Sequence, residues 1–145
     1  MCLIIYKPYK KHIDYHSLKS HFMANPDGWG FMYHDSERVF IKKAVADFDT
    51  FWNHYEPYQD IEVVIHFRTA SSSFKTKEQC HPHRLRKDLA FAHNGNFFEL
   101  SDYGLMSDAD RSDSQLFGDI LSGMDEDLLD NDEQMELIEK YCIQN

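Results

Sequence analysis

With 145 residues, 42% of them hydrophobic and 28% charged, the chain has the composition of one ordinary globular domain and excludes a disordered or low-complexity protein. No apolar run approaches the roughly 18 residues of a membrane span, and the start Cys2-Leu3-Ile4-Ile5-Tyr6 is too short for a signal-peptide core, so a cytoplasmic protein without membrane association is expected. The net charge of -10 is concentrated late, with 13 Lys/Arg against 11 Asp/Glu from Met1 to Phe98 and 2 against 14 from Glu99 to Asn145, which argues against nucleic-acid binding and leaves a solvated acidic face or a basic protein partner.

The chain opens Met1-Cys2. Once Met1 is removed, Cys2 carries a thiol and an α-amine on one carbon, a nucleophile with its own base; the plain alternative is a small buried apolar residue. The three cysteines, Cys2, Cys80 and Cys142, are odd in number and widely spaced, which favours reduced thiols. Leu3 to Tyr6 reads as a buried strand ended by Pro8, placing Cys2 at a strand start. Ile13 to Met23 reads as a short helix with Ile13, Leu18, Phe22 and Met23 inward, and its histidines His12, His16 and His21 do not share one face.

Asn25-Pro26-Asp27-Gly28 is a turn, and the glycines flanking Trp29 predict close backbone approach. Phe31-Met32-Tyr33 and Arg38-Val39-Phe40-Ile41 then form a hairpin around His34 to Glu37. Asp47 to Tyr55 is a capped helix whose stripe of Phe48, Phe51, Trp52 and Tyr55 reads as core. Asp60 to Arg68 gives the strongest strand pattern, and Arg68 at its end is either a fork for a ligand carboxylate or the partner of a structural acid. Thr69 to Gln79 is a loop. Cys80-His81-Pro82-His83 offers three metal-ligand side chains without a fourth at tetrahedral spacing, so no metal is assigned.

Asp88 to Ala92 predicts a strand running into His93-Asn94-Gly95-Asn96. As structure, Asn-Gly is a tight turn; as chemistry, an amide and a glycine N–H can converge on one oxygen. Ser112-Asp113-Ser114-Gln115 opens a helix, with Asp113 either a first-turn acid or a cation ligand in a cleft. Met124 to Asn145 reads as one or two acidic amphipathic helices with Leu128, Leu129, Met135, Leu137, Ile138 and Tyr141 inward.

Cys2, Asp27-Gly28-Trp29-Gly30, His66-x-Arg68-x-Ala70-Ser71, His81-Pro82, Phe91 to Asn96 and Ser112-Asp113-Ser114, in that order, resemble the glutaminase domain of class II glutamine amidotransferases, most of all the small stand-alone members. The resemblance implies an α+β fold, the four-layer αββα sandwich of N-terminal-nucleophile hydrolases. A glutaminase-like domain over 1–123 would carry an acidic helical extension over 124–145 packed on it; the family continues after Ser112-Asp113-Ser114 with several more strands where this chain has the acidic helices, so the second sheet would be either incomplete in a pared-down protein or completed by strands from elsewhere. It also implies roles. Cys2 attacks the glutamine side-chain amide with its α-amine as base; Asn94 and Gly95 stabilise the oxyanion; Arg68 holds the substrate α-carboxylate, Asp113 its α-ammonium; His93 and Thr69 line the substrate site. No cofactor is implied. Any ammonia acceptor would be a separate synthetase or be absent. Three other readings stay open: a hydrolase of larger γ-glutamyl amides, a non-catalytic protein that binds through its acidic surface, and a zinc module at Cys80-His81-x-His83.

Overall fold

The computed structural model describes residues 2–70, 75–95, 97, 111–124 and 127–143, the last four of these by backbone alone. It divides into two compact units, Met1–Asn94 and Gly95–Asn145. Met1, Ser71, Asn96 and the Tyr141 side chain, all singled out in the sequence, lie outside the described residues.

The first unit is built on a four-stranded antiparallel sheet. Its strands are β1 (Leu3–Lys7), β2 (Trp29–His34), β3 (Val39–Ala44) and β4 (Val63–Phe67), in the order β1-β4-β2-β3. Side chains alternate across a strand, so Trp29, Phe31, Val63, Ile65 and Phe67 share one face, and all five are buried. Two helices cover that face, α1 (Tyr15–Ala24) and α2 (Phe48–Tyr55), each begun by an aspartate whose carboxylate accepts a backbone N–H three residues on. Leu18 and Phe22 from α1 and Phe48, Phe51 and Tyr55 from α2 close a single apolar cluster with the strands. Met23, expected inward, is 64% exposed, because α1 buries the Leu18–Phe22 line and Met23 sits about 100° around from Phe22.

Lys7 is buried at the end of β1 and donates to the carbonyls of Pro8, Gln59 and Ile61, closing the loop after α2 onto the sheet. At the β2–β3 turn, the Asp35 carboxylate accepts the N–H groups of Glu37 and Arg38.

The other face of the sheet receives the segment 78–84. Gly30 of β2 passes so close to it that a β-carbon would overlap the His81 carbonyl oxygen. Gly28, at φ 145°, has a conformation that side chains avoid, and a β-carbon there would lie 2.6 Å from Cys80 Sγ. The close approach read from the two glycines is thus real and has an identified neighbour. A small second sheet follows, β5 (His83–Arg84) against β6 (Ala90–Phe91). The strand expected over Asp88 to Ala92 shrinks to two residues because the Leu89 carbonyl is used by the N–H groups of Leu85 and Arg86 to close the connecting turn.

In the second unit, α3 (Asp113–Ser122) starts with a capping box: Ser112 Oγ accepts from the Gln115 N–H and Gln115 Oε1 accepts from the Ser112 N–H. Phe97 stacks on Phe117 of this helix with ring centroids 4.2 Å apart. The last helix is α4 (Asp132–Ile143). Leu128 is buried, but Leu129 and Leu137 are exposed, against expectation. Asn131 caps α4 through the Gln134 N–H, and the half-buried face then runs through Gln134, Met135 and Ile138, leaving Leu137 about 100° to one side. The architecture is α+β, a four-stranded antiparallel sheet with helices and a two-stranded sheet.

Candidate functional site

The antiparallel register of β1 and β4 pairs Leu3 with Phe67, and β2 adds Trp29 opposite the same Phe67. One residue further out, the three strands therefore bring Cys2, Gly28 and Arg68 to one end of the sheet. The ladder continues there, with the Asp27 N–H donating to the Arg68 carbonyl and the Arg68 N–H to the Gly28 carbonyl, each at 2.9 Å. Cys2 Sγ lies 3.4 Å from both the backbone nitrogen and the carbonyl oxygen of Thr69, and it is part-exposed.

The turn before β2 holds this end in place. Asn25, buried at the end of α1, donates through Nδ2 to the His21 carbonyl, which directs its Oδ1 to accept the Thr69 hydroxyl at 2.8 Å. The Asp27 carboxylate accepts the Ala70 N–H at 2.8 Å and pairs with Lys75. Those two bonds, the Lys75 one first, hold the Asp27 carboxyl below the usual carboxylate range. Asn25 reads in the sequence as a turn former and Asp27 as the start of the Asp27-Gly28-Trp29-Gly30 motif with no role assigned to it, yet the two fix the segment that lies against the Cys2 sulfur.

Arg68 is 8% exposed and donates through Nη2 to Gln79 Oε1 at 3.1 Å. Gln79 belongs to the segment packed on the outer sheet face, which Lys43 pins by donating to the carbonyls of Glu78, Cys80 and Pro82. Burial lowers the Lys43 ammonium's pKa, and no sequence pattern marked this lysine as an anchor.

Behind Arg68 the buried rings of His66, His81 and His83 pack edge to face, with centroids 4.5 Å apart in each successive pair. Burial pushes His66 down to about 4 and His83 to about 3, with the Arg68 charge acting in the same direction on both, and it places His81 well below the ordinary histidine value. Cys80 Sγ points instead to the carbonyls of Ala44 and Thr76. Among the described residues no set of three or more His, Cys, Asp or Glu side chains is arranged to hold a metal ion. The Cys80-His81-x-His83 run is packing: a buried thiol and two neutral rings filling the space against the sheet.

The two described thiols therefore differ in kind. Burial raises the pKa of Cys80, which suits an inert core residue, whereas Cys2 is accessible beside backbone polar groups and a buried cation. His93 is half-buried and close enough to His66 to act on its charge, and Asn94 is exposed at the end of the first unit. Gly95 opens the second unit at φ 146°. Asp113, in the first turn of α3, accepts the Phe97 N–H at 2.8 Å and the Ser114 N–H at 2.7 Å, so its carboxylate ties residue 97 to the helix start. Of the residues singled out in the sequence, the structure brings Cys2, Arg68 and Thr69 together in the first unit and places Asp113 and Gly95 in the second.

A family model for class II glutamine amidotransferases matches residues 3–141. The chain belongs to the class II glutamine amidotransferases. The match runs through both units and begins one residue after Cys2, so family membership covers the scaffold and the role of Cys2 rests on its geometry. No curated protein and no solved structure matches the chain. No helix among the described residues is long and apolar enough to cross a membrane.

Proposed function

We propose that this chain hydrolyses the side-chain amide of free glutamine, with Cys2 as the nucleophile. The observation that carries the reading is the position of Cys2 Sγ, 3.4 Å from the Thr69 backbone at the same sheet end that presents Arg68. The Thr69 N–H is a donor to the sulfur, and the Arg68 guanidinium is a fork for the substrate α-carboxylate.

Removal of Met1 exposes the Cys2 amine. The thiol passes its proton to that amine as sulfur attacks the amide carbon, and the tetrahedral oxyanion takes hydrogen bonds from the Asn94 side chain and the Gly95 N–H. The amine returns the proton to the departing nitrogen, the C–N bond breaks, and ammonia leaves a glutamyl thioester. Water, deprotonated by the same amine, then attacks the thioester, releasing glutamate and restoring the thiol. His93 and Thr69 complete the wall of the substrate site. The fold proposed for this machinery is the sandwich of N-terminal-nucleophile hydrolases, with the β5–β6 layer as the start of its second sheet.

Incubation with glutamine and measurement of released glutamate tests the reading. The protein is expected to release glutamate and Cys2→Ala to fall to the uncatalysed background. Equal release by the two proteins refutes it.

A further inference from the structure

A turn needs only its backbone, yet the Asn25 side chain is one link in a run of hydrogen bonds that ends on the Cys2 sulfur. Asn25 is 7% exposed and closes α1, whose Leu18 and Phe22 are fixed in the core. Its backbone N–H turns to the Phe22 carbonyl at 2.8 Å, which leaves the His21 carbonyl to the side chain, and Nδ2 donates there at 3.0 Å. That bond decides which way round the amide sits. Oδ1 is therefore the atom that meets Thr69, 44 residues away in sequence, and it accepts the Thr69 hydroxyl at 2.8 Å.

Thr69 meets the sulfur with both of its backbone polar groups. The two peptide planes that flank it are held by Asp27, whose N–H donates to the Arg68 carbonyl at 2.9 Å and whose carboxylate accepts the Ala70 N–H at 2.8 Å. Both peptides are trans, and a trans peptide points its C=O and N–H in opposite directions. The Thr69 N–H and carbonyl thus face away from Asp27, and each lies 3.4 Å from Cys2 Sγ. The carbonyl suits a sulfur that carries its proton, the N–H a sulfur that has given it up. With the planes tied, the main freedom left to Thr69 is rotation about its own Cα, and the hydroxyl bond to Asn25 restrains that. We propose that Asn25 is a positioning residue for the nucleophile: acting through the Thr69 hydroxyl, it keeps the Thr69 N–H on the Cys2 sulfur and so raises the reactivity of that sulfur toward an electrophile. The inference rests on the assignment of Cys2 as nucleophile but not on glutamine as the substrate.

The test therefore reads Cys2 chemically. The protein is treated with iodoacetamide at pH 7, and the rate of alkylation at Cys2 is followed by the mass of the peptide that contains it. Asn25→Ala and Thr69→Val each delete one end of the same bond and should slow alkylation by about 3- to 10-fold, the size expected for one hydrogen bond. Thr69→Ser keeps the hydroxyl and should react like the unsubstituted protein, and the double variant Asn25→Ala/Thr69→Val should be no slower than the slower single one. Thr69→Val decides the question if Asn25→Ala does not fold. An unchanged rate in a folded variant overturns the inference, as does Thr69→Ser reacting as slowly as Thr69→Val, a double variant slowed by the product of the two single effects, or an unsubstituted protein whose Cys2 is not alkylated. Glutamate release by the unsubstituted protein is scored separately. Its absence alongside Asn25-dependent alkylation would refute hydrolysis and leave the role of Asn25 standing.

Discussion

The buried histidines make the protein acid-labile in a defined window. His66 and His83 are neutral in the folded protein, pushed down to about 4 and about 3. In the unfolded chain they titrate near the ordinary value of about 6.5. Their folded pKa values are lowered, so above pH 6.5 neither state binds the protons and stability is complete. As pH falls below 6.5 the unfolded state takes up protons that the folded state refuses, and stability drops until the folded values are reached. Each such histidine contributes a slope of about 1.4 kcal/mol per pH unit, which integrates to about 2 kcal/mol between pH 7.5 and 5. The pair therefore removes about 4 kcal/mol, a large part of the 5 to 15 kcal/mol typical of a domain, and His81 acts in the same direction. The aspartates held below their usual range, Asp14, Asp27, Asp35 and Asp47, lose their contribution only below about pH 4 and stay out of this window. Urea unfolding followed by tryptophan fluorescence at half-unit pH steps from 7.5 to 5 measures the slope. His83→Leu should reduce it by about 1.4 kcal/mol per pH unit below pH 6. A flat stability profile over that range, or a slope untouched in the variant, would refute the reasoning.

Two further outcomes follow from close contacts. Gly30→Ala forces a β-carbon onto the His81 carbonyl and should cost about 2 to 3 kcal/mol in urea unfolding; a cost near zero would mean that the 78–84 segment does not lie on β2. Asp27→Ala removes the acceptor of the Ala70 N–H and the partner of Lys75. It should lower kcat/KM for glutamine roughly tenfold or more, because small misplacements at a nucleophile are costly, and an unchanged kcat/KM would separate Asp27 from the positioning of the site.

The fold was legible wherever hydrophobic periodicity was strong. The strand ending at Phe67, the α2 stripe of Phe48, Phe51 and Tyr55, and the Ser112 cap could all be read from spacing, since each pattern maps directly onto burial or onto a local hydrogen bond. What spacing could not reveal is long-range placement. His83–Arg84 has no strand signature and pairs because the turn at Leu89 delivers Ala90–Phe91 to it. Leu137 looks identical to a buried leucine in sequence, and its place off the half-buried face of α4 follows from where the cap at Asn131 starts that helix; nothing in the structure explains the exposure of Leu129. At the site, Cys2 and Arg68 stood out by residue type at strand ends. Asn25, Lys43 and Gln79 did not, and Asp27 stood out only as part of a motif, because polar residues in a turn or on a strand acquire a role only through the distant groups they meet.

The most direct test of the central claim combines two readings on one sample of the unsubstituted protein: the intact mass, which reports whether Met1 is present, and the rate of glutamate release from glutamine. The account predicts loss of Met1 and glutamate release that scales with the fraction of chains beginning at Cys2. Glutamate release from chains that all retain Met1 would contradict the N-terminal amine as base, and no release from chains that all begin at Cys2 would contradict the function itself.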